Sequence, residues 1–135
     1  MCERRVCDSL SSTNSKLSFI HVGLPLDHHS IPIEIRKEAS VQLPLLRDRM
    51  QAEGYGYELV FASPEDGLEN FKSQLGARRP DGVVIGGGVV GNPQMRFFME
   101  QIIDVIRTSA PGSKILLIGR PEEAPSAVAR WFPKT

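Results

Sequence analysis

The residues with most to offer chemically fall in two short stretches. The first is Ile85-Gly86-Gly87-Gly88-Val89-Val90-Gly91-Asn92-Pro93, directly after a β-type run. Glycines in such a turn let the backbone approach a ligand closely, and amides at the start of the following helix attract anions. Gly86, Gly87, Gly88, Gly91 and Asn92 are therefore candidate ligand-binding residues. Arg96, in the first turn of the next helix, and Arg120, after the last strand, can both face an anion held over that turn. The second stretch is Asp27-His28-His29. Imidazole is the side chain best matched to proton transfer near neutral pH, and a neighbouring acid can orient and polarise it. His28, His29 and Asp27 are thus the catalytic candidates. Adjacent side chains point apart, so at most one of the two rings is expected to enter a cleft. His21 reads as a packed strand residue. No further Cys or His stands close by in sequence, so neither a metal site nor a bound cofactor is expected.

These groups need a scaffold, and the pattern of apolar residues supplies one. Leu17 to Gly23, Tyr57 to Ala62, Asp81 to Gly86 and Lys114 to Gly119 read as four strands. The last two are continuously apolar, as central parallel strands covered on both faces must be. Between them lie helical patterns. Ile35, Ala39, Leu43, Leu46 and Met50 recur at threes and fours over 32–53, with a kink or restart expected at Pro44. Ser63-Pro64-Glu65-Asp66 carries the chemistry of a helix start, Leu68, Phe71 and Leu75 form a stripe, and Gly76 is expected to stop it. Asn92-Pro93 opens a third helix bearing Met95, Phe98, Met99, Ile102, Ile103 and Ile106. A short last helix over 122–132 carries Ala127, Val128 and Trp131, the indole being expected to cover the core.

Composition narrows the function classes. Lys plus Arg is 16 and Asp plus Glu is 16 in 135 residues, which argues against nucleic-acid coating and polybasic membrane binding. No apolar run approaches the roughly 18 to 20 residues a membrane helix needs. Residues 1–16 are polar and aperiodic and read as a disordered leader without a secretory signal, so the expected setting is cytoplasmic. Cys2 and Cys7, the whole cysteine inventory, lie in that leader and read as free thiols. Residues 17–135 form the single folded domain.

Two resemblances bear on function. Gly86, Gly88 and Gly91 fit the spacing G-x-G-x-x-G, which resembles the dinucleotide-binding fingerprint of flavin and nicotinamide enzymes. The chain departs from it in three ways. Asn92-Pro93 starts the helix after the third glycine, only one strand follows, and the place of the ribose-binding acid is taken by Gly119 or Arg120. The turn therefore reads as an open βα connection that can accept a phosphate or carboxylate, or that simply lets the chain turn. From Phe19 to Ile118 the chain is similar to flavodoxin-like and receiver-like small α/β domains of uncharacterised function. The likeness is carried by Arg79-Pro80-Asp81-Gly82-Val83-Val84-Ile85 and by Pro111-Gly112-Ser113-Lys114-Ile115-Leu116-Leu117-Ile118. Receivers place a phosphoacceptor Asp after strand three and a Ser or Thr after strand four. Here glycines hold both places, so phosphotransfer is not implied.

The expected fold is a three-layer α/β sandwich with a short parallel sheet of order 2-1-3-4 and helices on both faces, flavodoxin-like or Rossmann-like. Its ligands should bind beyond the carboxyl ends of the strands. Two functions stay open. One is a non-catalytic domain binding a small anionic ligand or a protein partner, with homodimerisation through an apolar sheet edge. The other is a small enzyme without a redox cofactor, an isomerase, lyase or cyclase. It would use His28 or His29 as acid or base and the glycine-turn amides as an oxyanion hole. The first is preferred because the chain shows no complete catalytic set.

Overall fold

The computed structural model describes residues 17–133. The expected leader and both cysteines lie outside the described residues. Strands β1 (Ser18–Gly23), β2 (Gly56–Phe61), β3 (Gly82–Ile85) and β4 (Lys114–Leu117) form one four-stranded sheet of order β2-β1-β3-β4. All the pairings are parallel, with His21 opposite Leu59 on one side and Val84 on the other. This is the order expected from the alternation of strands and helices.

Helices α1 (Ile33–Ala52) and α5 (Ala124–Trp131) cover one face, and α2 (Glu69–Arg78) and α4 (Arg96–Ser109) the other. The period-2 alternation of β1 assigns its side chains. Ile20 and Val22 pack with Phe71, Leu75, Phe98, Ile102 and Ile106, while Phe19 packs with Leu46, Met50, Tyr57 and Ala127. Among the described residues no helix is long and apolar enough to cross a membrane.

Local structure differs from expectation at informative places. Helix α1 runs through Pro44 without a break. The carbonyl left unpaired by a proline is that of the residue four back, here Ser40, which is exposed and can be hydrated. Ser63-Pro64-Glu65-Asp66 does not open a helix. It closes a tight turn in which Ser63 Oγ accepts from the Asp66 N–H (3.1 Å) and donates to Asp66 Oδ2 (3.0 Å). Helix α2 passes through Gly76 and stops at Arg79, which adopts a left-handed φ of 45° just before Pro80. Gly87–Val90 form one helical turn, α3, followed by a 3-10 turn at Pro93–Met95. The glycine run is thus wound rather than open. Trp131 is 49% exposed and does not cover the core; Lys114 Nζ stands 5.7 Å from its ring centroid.

Candidate functional site

At the carboxyl ends of the strands lies a cavity of about 480 Å³, a volume suited to a small ligand. Its origin is the front half of α1. Leu46 and Met50 of the α1 stripe are buried against the sheet, but Ile35, Ala39 and Leu43 of the same stripe line the cavity instead. Opposite them stand His21 and the turn Gly86, Gly87, Gly88. Leu59 and Phe61 from β2 and Ile118 after β4 extend the apolar wall. Among the described residues no Lys, Arg, Asp or Glu lines it.

His21 is the polar group at the heart of this space. The residue is buried, at 5% exposure, because the fourth residue of a central strand must face one covered layer or the other. The Nδ1 atom lies 2.7 Å from the Tyr57 hydroxyl, carried by the paired strand β2. Tyr57 is itself fully buried, and burial raises its phenol above the usual range. The phenol O–H therefore stays protonated and needs an acceptor. Among the described residues His21 Nδ1 is the acceptor it finds. Tyr57 then donates to Nδ1, and the ring proton resides on Nε2. Burial also pulls the imidazole pKa down to about 4, so at neutral pH the ring is uncharged and offers Nε2–H as a donor. Nothing among the described residues accepts that proton.

The glycines are explained by space rather than by backbone angle, since no glycine of the turn has a positive φ. A Cβ on Gly86 would stand 3.1 Å from His21 Nε2 and crowd it. A Cβ on Gly87 would lie 2.0 Å from the Gly119 carbonyl oxygen, so only glycine lets the ends of β3 and β4 approach. Gly88 differs: its Cβ would meet Leu24 and Ile31 at ordinary distances of 3.7 and 3.8 Å. Gly91 donates its N–H to the Gly87 carbonyl at 2.9 Å. The Gly87 and Gly88 amides open α3 and have no acceptor among the described residues, as expected of a first helical turn. Asn92 lines the cavity, but its Oδ1 is engaged by the Gln94 N–H at 3.0 Å.

The remaining candidates fall elsewhere. Neither His28 nor His29 lines the cavity. His28 is buried, with Nε2 2.9 Å from Glu65 Oε1 and Nδ1 2.8 Å from Ser30 Oγ. His29 is exposed, stacks on the His28 ring at 4.3 Å, and directs Nε2 to within 3.6 Å of Glu65 Oε2. The hydrogen bond from His28, foremost, holds the Glu65 carboxyl below its usual pKa. Asp27 is exposed beside this group. Arg96 and Arg120 also lie off the cavity; Arg120 stands 3.8 Å from Glu122 and is 77% exposed. So the structure gathers Gly86, Gly87, Gly88, Gly91 and Asn92 in one place and leaves Asp27, His28, His29, Arg96 and Arg120 outside it. Neither loop histidine lines the cavity that the glycine turn borders. Sequence reasoning missed His21, although its place opposite the end of β3 follows from the parallel register. It also missed Glu65, which lies 37 positions from His28 and meets it only through the β2–α2 turn.

The architecture is that of a Rossmann-like α/β domain. A de novo designed Rossmann fold protein matches it with a TM-score of 0.50 at 13% identity, over 89% of this chain and 100% of that one. At that identity the likeness concerns the fold alone. No protein-family model matches the chain, and no curated protein does.

Proposed function

We propose that this chain is a non-catalytic binding domain for a small, largely apolar molecule that ends in a hydrogen-bond acceptor such as a carbonyl or a single carboxylate. The observation that carries the reading is a set of unpartnered donors, His21 Nε2–H and the Gly87 and Gly88 amides, in a largely apolar cavity whose other polar side chains are Ser30, Asn92 and Gln94. Each such hydrogen bond is worth about 0.5–1.5 kcal/mol net, and a donor buried without one costs more. An acceptor-bearing ligand satisfies the donors while its body covers Ile35, Leu43 and Leu59. The absence of any cation from the lining disfavours a phosphate dianion, whose burial without a countercharge is costly. The same absence disfavours dinucleotides. An acid–base role is disfavoured because a pKa of about 4 makes the cavity's imidazole a poor base near neutral pH, and its unprotonated Nδ1 is taken by the Tyr57 hydroxyl. Pairing of two copies belongs to the same reading. It is supported by the open edge at β4, where Leu117 is 46% exposed.

The test is a thermal-shift series read alongside amide NMR. Phenylacetate and phenylacetamide are expected to raise the unfolding midpoint by linkage and to shift the Gly87 and Gly88 amide resonances. Inorganic phosphate and NAD are expected to do neither. A response to phosphate or NAD alone, or no movement of those amides with any probe, would overturn the proposal.

A further inference from the structure

The cluster on the other side of the β1–α1 loop has a different chemistry. One potential ligand atom from each of His28, His29 and Glu65 lies within 4.8 Å of the other two. The two nitrogen-to-oxygen separations are 2.9 and 3.6 Å. Ligands held at about 2.0–2.1 Å on a tetrahedral ion stand roughly 3.3 Å apart, so the two nitrogen-to-oxygen separations already match that spacing to within a few tenths of an ångström, and the His29 ring, stacked on His28, has to turn to aim its lone pair at the same ion. We infer that His28, His29 and Glu65 form a site for a single divalent transition-metal ion of the zinc class.

Three features of the surroundings support this. The ligands are not loosely hung: the loop is folded by His28 N–H to the Pro25 carbonyl (2.9 Å) and Ile31 N–H to the His28 carbonyl (3.0 Å). Arg36 pins it further, donating to the Ile31 carbonyl at 2.8 Å and the His28 carbonyl at 3.1 Å, which engages its charge with backbone oxygens. Next, Ser30 holds the His28 ring from behind, its Oγ 2.8 Å from Nδ1 and its N–H donating to Nδ1 at 3.2 Å. Metal binding at Nε2 moves the ring proton to Nδ1, where Ser30 Oγ can accept it once the Ser30 N–H bond is given up, and such a partner fixes the ring and raises its basicity. Finally, His29 is 79% exposed yet is held over His28 with its Nε2 turned to Glu65. The stacking keeps this second imidazole next to the carboxylate, from where a turn of its ring brings Nε2 onto an ion shared with Glu65.

The donor set selects the metal. Two imidazoles and one carboxylate suit zinc, cobalt and nickel, while calcium and magnesium prefer oxygen-only shells. Three protein ligands leave at least one position for water, as in open rather than purely structural sites. The same loop contributes Leu26, Ser30 and Ile31 to the cavity wall, so an ion here would stiffen that wall. The inference does not depend on what the cavity binds.

The experiment uses the full chain carrying Cys2→Ser and Cys7→Ser, so that leader thiols cannot bind the ion. Calorimetric titration with Zn2+ is expected to give one ion per chain. Co2+ is expected to give the visible absorption of a tetrahedral site. His29→Ala, at an exposed position, and Glu65→Gln are each expected to weaken Zn2+ binding at least about tenfold, while Ser30→Ala weakens it severalfold to tenfold by releasing the His28 ring. Addition of Zn2+ is expected to raise the unfolding midpoint of the parent and not of His29→Ala. No saturable one-to-one binding of either ion, or an affinity unchanged in His29→Ala and Glu65→Gln, would overturn the inference.

Discussion

His21 and His28 sit at opposite ends of one short segment, in strand and following loop, and the fold gives them opposite environments. His21 is enclosed by the sheet, bonded to a phenol and kept neutral, with pKa about 4. His28 is also buried, but its ring faces an exposed carboxylate at 2.9 Å and a hydroxyl at 2.8 Å. The first therefore serves as an uncharged donor in an apolar space. The second faces partners that suit a cation or a metal. Residue type alone does not separate the two roles; the neighbour across the sheet or across the loop does. The strand supplies the cavity's buried imidazole, and the loops supply its other polar side chains, Ser30, Asn92 and Gln94. Parallel register sets His21 against the end of β3, while the loop turns His28 outward to the β2–α2 turn.

The largest expected effect tests the frame around His21. Gly87→Ala places a methyl 2.0 Å from the Gly119 carbonyl, so the end of β4 must move. We expect a loss of about 3 kcal/mol in urea unfolding, at the upper end for overpacking. Gly88→Ala, with its 3.7 Å contact, is expected to stay within about 0.5 kcal/mol of the parent while narrowing the cavity and weakening phenylacetate binding. Equal stability of the two variants would break the assignment of Gly87 to close packing.

The next effect comes from acid. The folded pKa of His21, about 4, lies below its ordinary value of 6.5. Between those values the unfolded chain binds the proton and the folded chain does not. Stability is thus whole above pH 6.5 and falls as the pH drops toward 4, by up to about 3 kcal/mol. In the double variant His21→Leu/Tyr57→Phe both polar partners are gone, and this part of the acid dependence should vanish. Retention of the full slope in that variant would place the acid sensitivity elsewhere. Tyr57→Phe alone follows in size. It leaves Nδ1 without its donor and is expected to cost about 1–3 kcal/mol. It should also release the tautomer, which 15N shifts of the His21 ring would report.

How much of this could be read from the chain depends on the range of the interaction. The strands were legible because Val83-Val84-Ile85 and Ile115-Leu116-Leu117 are continuously apolar, and their order followed from the alternation with helices. The glycine turn was legible as a place, since strand ends in such sheets carry ligands. Its winding into α3 was not, because Asn92-Pro93 marks a helix start so plainly that the earlier turn was hidden. Ser63-Pro64 misled for a related reason: the same hydroxyl-to-amide bond that caps a helix also closes a free turn. Gly76 weakens a helix without ending it, and Arg79 with Pro80 supplied the stop. The stripe of α1 predicted burial but not that Ile35 and Leu43 would face an open space. His21 with Tyr57, and His28 with Glu65, are contacts across the chain, and no local pattern announces them.

The smallest expected effect sharpens the other half of the comparison. Glu65 is exposed, and its carboxyl is held below the ordinary 4.5 chiefly by the hydrogen bond from His28. A carboxylate with a depressed pKa contributes stability above its unfolded value and loses it as pH falls through the folded one. Glu65→Gln keeps a hydrogen-bond acceptor but removes the charge, so the variant should melt slightly below the parent at pH 7. The gap should close in acid, where the parent's carboxyl is protonated too. Solvent screens such a surface pair, so raising the salt should also shrink the difference. A gap that survives both low pH and high salt would mean that Glu65 acts through packing rather than charge, and the contrast between a neutral His21 and a carboxylate-paired His28 would lose its electrostatic basis.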